Sequence, residues 1–163
     1  MHPKLSPQII EIFQTNSVNE TRKLSEKLGK VLKAGDNVAL TGNLGAGKTH
    51  MAQGIALGVG LTSDNYITSP TFTLIDEHYL NDIIFYHMDL YRLNDIDELL
   101  ELDFHDIIRS GNISVVEWWD LFPETIPSNT LIVAIDIISE NSREILMASG
   151  KPENWTDRLS NIR

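Results

Sequence analysis

One octapeptide, Gly42-Asn43-Leu44-Gly45-Ala46-Gly47-Lys48-Thr49, carries residue types suited to holding a phosphate chain. It has the phosphate-loop spacing of Gly, four residues, then Gly-Lys-Thr. The glycines let the backbone turn where a Cβ would clash, so that successive N–H groups converge on one anion. Lys48 brings a compact positive charge to the outer phosphates, and the Thr49 hydroxyl suits a magnesium ion. A loop of this kind opens a helix, whose unpaired N–H groups and dipole favour the same anion. The flanks agree. Asn37-Val38-Ala39-Leu40-Thr41 reads as a short buried strand, and Met51, Ala52, Ile55, Ala56 and Val59 recur at helical spacing, with Gly58 and Gly60 as stop signals. A nucleoside phosphate is the expected ligand.

Magnesium at such a loop needs an anionic partner, usually an acid at the end of an apolar strand. Two are present: Asp89 after Ile83-Ile84-Phe85-Tyr86-His87-Met88, and Glu117 after Ile113-Ser114-Val115-Val116. Either can hold the metal while the other orients the attacking water; spacing does not choose between them. Ser69-Pro70-Thr71-Phe72-Thr73 offers hydroxyls as a nucleotide sensor, although ordinary strand-start chemistry is the plainer reading. Arg92, three residues past Asp89, is placed to touch phosphate or pair with an acid. His87 reads as structural rather than metal-ligating, and Trp118 and Trp119 as core or rim aromatics. The guanine-specific strings Asn-Lys-x-Asp and Asp-x-x-Gly are both absent, which favours ATP over GTP. No segment is Arg-rich, as the lid of a small kinase would be.

These side chains need a scaffold that brings strand ends beside the loop. The chain has 163 residues, 42% of them hydrophobic, which suits one domain with a real core. The expectation is a single nucleotide-binding domain over 1–163, with 1–14 and 151–163 peripheral. Ile9 to Phe13 reads as an opening strand. Ser17 and Glu20 have capping-box spacing ahead of a helix that turns Leu24, Leu28, Val31 and Leu32 inward. Thr68 to Ile75 is extended because Pro70 blocks a helix, and Asn81-Asp82 joins it to the Asp89 strand as a hairpin. An antiparallel hairpin there makes the sheet mixed. Asn94 caps a helix over about 95–109, with Ile96, Leu99, Leu100 and Phe104 on one face. Pro123 and Pro127 hold an irregular connection, and Leu131 to Ile138 pairs with Glu144 to Met147. From Lys151 the chain reads as a frayed tail with one helical turn.

Net charge is -10, so most of the surface repels a phosphate polymer, which argues against unaided nucleic-acid binding. With no cysteine there is no disulfide, thiolate catalyst or Cys-ligated zinc. The densest apolar run, Leu131 to Ile138, is interrupted by Asp136 and falls far short of the ~20 residues of a membrane helix. The first residues lack a signal peptide's apolar block. A cytoplasmic protein without a membrane role is expected.

The phosphate loop, Ser69-Pro70-Thr71-Phe72-Thr73-Leu74, Tyr86-His87-Met88-Asp89-Leu90-Tyr91-Arg92-Leu93 and Val116-Glu117-Trp118 resemble, in order, the motifs of the TsaE family. The resemblance covers roughly Thr15 to Gly150. The Tyr-His-x-Asp-Leu-Tyr-Arg-Leu string is its specific part. It implies an α/β, three-layer P-loop NTPase fold with a mixed, mainly parallel central sheet carrying antiparallel hairpins. It implies ATP and Mg2+ as cofactors, bound by Asn43, Leu44, Gly45, Ala46, Gly47, Lys48 and Thr49. Thr15 would lie near the adenine, Thr49 and Glu117 would hold the metal, and Lys48 and Asp89 would serve hydrolysis. The family's ATPase activity supports the TsaD–TsaB pair, which modifies tRNA adenosine next to the anticodon, so the RNA would be held by the partners. His50 departs from the family's usual second hydroxyl residue, while Phe72, Met88 and Val116 are mild apolar exchanges. The rival readings are a small-molecule kinase and a nucleotide-gated binding module that does not hydrolyse usefully.

Overall fold

The computed structural model describes residues 6–62 and 74–163. Its centre is strand β2 (Asn37–Thr41), apolar on both faces because both faces are covered. Val38 and Leu40 face one side and Ala39 the other, as the period of two demands. Around β2 a seven-stranded sheet runs in the order β1-β7-β6-β2-β5-β4-β3. The remaining strands are β1 (Gln8–Thr15), β3 (Ile75–Leu80), β4 (Ile83–Asp89), β5 (Ile113–Glu117), β6 (Leu131–Ile137) and β7 (Arg143–Ser149). The inner four, β6, β2, β5 and β4, are mutually parallel. β1, β7 and β3 join antiparallel, so the sheet is mixed, as the hairpin signals require.

One face packs on α1 (Val18–Val31), α2 (Lys48–Val59) and α5 (Thr156–Ser160). Ser17 caps α1: its hydroxyl accepts from the Glu20 N–H at 3.0 Å, while the Glu20 carboxylate reaches back to the Asn16 N–H at 2.7 Å. The capping box therefore closes one residue upstream of its usual position. Leu24 and Leu28 are buried, with Val31 and Leu32 packed at the rim. The two helices approach closely at glycines. A Cβ on Gly58 would stand 2.1 Å from the Glu26 carbonyl oxygen, and one on Gly29 2.2 Å from that of Ile55. Gly58 thus serves helix packing, and Gly60, at φ 126°, ends α2.

The other face is covered by α3 (Ile96–Leu100), α4 (Phe104–Ile108) and two 3-10 turns after β5. Here one expected helix is two. Asp103 sits at φ 56°, in the left-handed region, and interrupts the run. The break turns Phe104 into the core and leaves Leu100 45% exposed, so the two do not share a face. Asp95 is the cap, its carboxylate accepting from the Glu98 N–H, while the Asn94 N–H donates to Glu98.

One expectation holds with wider bounds and others change. The opening strand runs from Gln8 to Thr15, with Ile10 and Phe13 against the core. The segment from Lys151 does not fray: Trp155, Leu159 on α5 and Ile162 are all buried in the core cluster that contains α1 and α2 residues. Trp155 Nε1 donates to the Asn129 carbonyl at 2.9 Å, and Arg158 stacks on its ring and pairs with Asp36 at 2.6 Å. A hairpin turns at Asn81-Asp82 as expected, but its first arm is Ile75–Leu80 rather than the expected run from Thr68 to Ile75; residues 63–73, with the Ser69–Thr73 sensor, lie outside the described residues. Among the described residues no helix is long and apolar enough to cross a membrane.

Candidate functional site

The site lies where β2 ends and α2 begins. Gly42 has φ 149°, and a Cβ there would meet the Ile135 carbonyl oxygen at 2.6 Å. Gly45 and Gly47 take φ 81° and 110°, a region costly for any other residue. No side chain caps α2 at Gly47, so the first N–H groups of the helix remain available to an anion. Lys48 folds against its own loop: Nζ donates to the carbonyls of Gly42 at 2.6 Å and Asn43 at 3.0 Å, and sits 4.2 Å from the centre of the Trp118 ring. Burial pulls the Lys48 ammonium below its ordinary value, against the opposing pull of Glu117, Asp120 and Asp89.

The sheet brings both strand-tip acids to this loop. β5 lies beside β2 and β4 beside β5, so Asp89 and Glu117 are register partners at adjacent strand ends. Period-two alternation puts both on the face shared with α2, as Ile113 and Val115 are on β5. Their surroundings differ. Glu117 is buried; its Oε1 accepts from the Thr49 hydroxyl at 3.0 Å and its Oε2 lies 2.6 Å from His87 Nε2. Asp89 is half-buried and accepts the Tyr91 N–H at 3.0 Å. A groove of about 480 Å3 runs between the loop and these tips, with Lys48, Thr49, Asp89, Arg92, Glu117 and Trp118 in its walls.

A smaller cavity of about 160 Å3 opens on the far side of the loop, against Ser17, Val18, Thr21, Asn141 and Arg143. Leu44 stands 73% exposed at the loop tip. Thr15 is buried, its hydroxyl 2.6 Å from that of Thr21, so Thr21 rather than Thr15 lines this cavity. Arg143 donates from Nε to the Ala46 carbonyl at 2.9 Å and from Nη1 to carbonyls of the β6–β7 turn. It ties the middle of the loop to the far strand pair, a role no local pattern announces. His87, read as structural, is fully buried but spends its Nε2 on Glu117. Sequence could have revealed that contact only through the β4–β5 pairing.

Among the described residues no group of three or more His, Asp or Glu side chains could hold a metal. The pair formed by Thr49 and Glu117 nevertheless suits a hard cation that takes its other oxygens from phosphate and water. A glycine-shaped loop between a buried parallel strand and its helix, with paired acids at the next strand tips, defines a P-loop NTPase fold.

The comparisons agree with that class and refine it. A family model described as Threonylcarbamoyl adenosine biosynthesis protein TsaE matches residues 15–145. The TsaE proteins of Bacillus subtilis and of a Nostoc species are 36% and 38% identical, over 82% and 84% of this chain and the same shares of theirs. That of Treponema pallidum is 31% identical over 82% of this chain and 97% of its own. The crystal structure of Bacillus subtilis YdiB superposes with a TM-score of 0.73 at 29% identity, covering 94% of this chain and 95% of that one. The chain belongs to the TsaE family, whose role is in threonylcarbamoyladenosine biosynthesis on tRNA.

Proposed function

We propose that this chain is a magnesium-dependent ATP-binding protein and slow ATPase. In this reading it drives turnover of the TsaD–TsaB complex, which carries the tRNA and modifies the adenosine next to its anticodon. The observation that carries the reading is the contact of Thr49 with Glu117 directly below the glycine loop. It brings a hydroxyl and a buried carboxylate together where a phosphate-bound cation needs both.

The loop amides of residues 43–49 hold the phosphates, and Lys48 leaves its own loop carbonyls to meet the outermost one. Thr49 and Glu117 hold magnesium, which when bound offsets charge on the β- and γ-phosphates. Asp89, less enclosed than Glu117, orients the water that attacks. The adenine occupies the smaller cavity by Ser17, with Thr15 supporting it through Thr21. A net charge of -10 suits a cytoplasmic component that leaves RNA contact to its partners.

Phosphate release from ATP, measured with and without TsaD and TsaB, tests the proposal. Slow release alone and faster release with the pair is the expected result. ATP binding without release in either case would make the chain a nucleotide-gated module, and transfer to a small acceptor would make it a kinase.

A further inference from the structure

We infer that His87 is a positioning residue for the metal-binding carboxylate of Glu117. The inference rests on the magnesium reading above and adds a residue to it. His87 is fully buried on β4, and its Nε2 lies 2.6 Å from Glu117 Oε2. Nδ1 is buried with no hydrogen-bond partner among the described residues. The tautomer with its one N–H on Nε2 therefore leaves no buried donor unpaired, and that N–H donates to Glu117.

The two oxygens of Glu117 then have separate tasks. Oε2 is anchored by the imidazole, and Oε1 is turned to Thr49, the other side chain at the cation site. A carboxylate on a strand end otherwise turns about its last torsion, a broad and soft rotation. The imidazole removes that freedom and fixes which oxygen faces the loop. Groups that orient a metal ligand in this way commonly contribute about 10–100-fold in metal affinity when removed. His87 does not line the groove, and its one polar contact is to Glu117, through which it acts.

The test is a magnesium titration of ATP affinity by calorimetry, on the full chain and on His87→Leu and His87→Gln, with thermal melting of each apo protein alongside. His87→Leu should lose about tenfold in affinity with magnesium and little with magnesium absent. His87→Gln, whose amide can donate near the same place, should recover part of the loss. In a Glu117→Ala background, His87→Leu should change nothing further. Equal losses with and without magnesium, or a full His87→Leu effect persisting without Glu117, would overturn the inference. If His87→Leu does not fold, His87→Phe, which keeps a ring but has no donor, takes its place: a weakened magnesium dependence supports the role, and wild-type dependence overturns it. Wild-type affinity indifferent to magnesium would instead remove the metal site itself, and this inference with it.

Discussion

Replacing Gly58 by alanine separates two effects of opposite sign. Helix propensity favours alanine over glycine by about 1 kcal/mol in the interior of a helix. Packing opposes it. The new Cβ would lie 2.1 Å from the Glu26 carbonyl oxygen and 2.8 Å from Gly29 Cα, both backbone atoms of α1. The first distance is more than 1 Å inside ordinary contact, ~3.5 Å, and no rotamer change relieves it. The helices must move apart, which places the cost near the upper end of the ~1–3 kcal/mol of core overpacking. The net effect should be about 2 kcal/mol of destabilisation, or a melting temperature lower by ~4–8 °C for a chain of this length. Circular dichroism melting of the apo protein measures it. Because α2 carries Lys48 and Thr49 in its first turn, ATP affinity should fall as well. A melting temperature equal to or above that of the wild type would refute the close crossing of α1 and α2.

Lys48→Ala should weaken ATP binding and abolish hydrolysis, since it removes charge where the γ-phosphate develops it; unchanged turnover in a phosphate-release assay would refute the assignment. Glu117→Ala should remove the magnesium dependence of ATP affinity, whereas Asp89→Ala should lower turnover and leave that dependence intact; the reverse pattern would exchange their roles. Trp155→Ala, which empties a fully enclosed site under α5, should cost ~3–5 kcal/mol, and a melting curve close to wild type would mean the C-terminal segment is not docked. The Lys48 ammonium titrates below its ordinary 10.5 in the folded chain, so just below that pH the unfolded chain holds more protons there. Stability should therefore gain from Lys48 as pH rises toward 10.5, and a Lys48→Met variant, compared by denaturant melts across alkaline pH, should lack that gain.

Local features read truly where the physics is local. The phosphate loop needs its glycines for backbone angles within eight residues, and all of Gly42, Gly45 and Gly47 take them. Ser17 and Glu20 act within one helical turn, and β2 and β5 are apolar runs of the right length for buried strands. The helix expected over 95–109 failed at one residue. Asp103 adopts the left-handed region because its neighbours must reach the core on a new heading, and helical periodicity carries no sign of that. The docking of the tail was not legible: its single helical turn was expected, but the burial of Trp155, Leu159 and Ile162 in one cluster comes only from the packing.

Sequence alone therefore determined the phosphate loop, its strand and helix, and the two acids offered to a metal. The tertiary structure decided what each acid meets. Glu117 reaches Thr49 and His87 because β5 lies between β2 and β4, while Asp89 sits at the more open tip. It also decided that Arg143 braces the loop from 97 residues away, and that Gly58 belongs to a helix crossing rather than a helix end. Backbone preferences act over a few residues and can be read in order along a chain. Contacts across a sheet depend on strand order and register, which arise only when distant segments bury their apolar faces together.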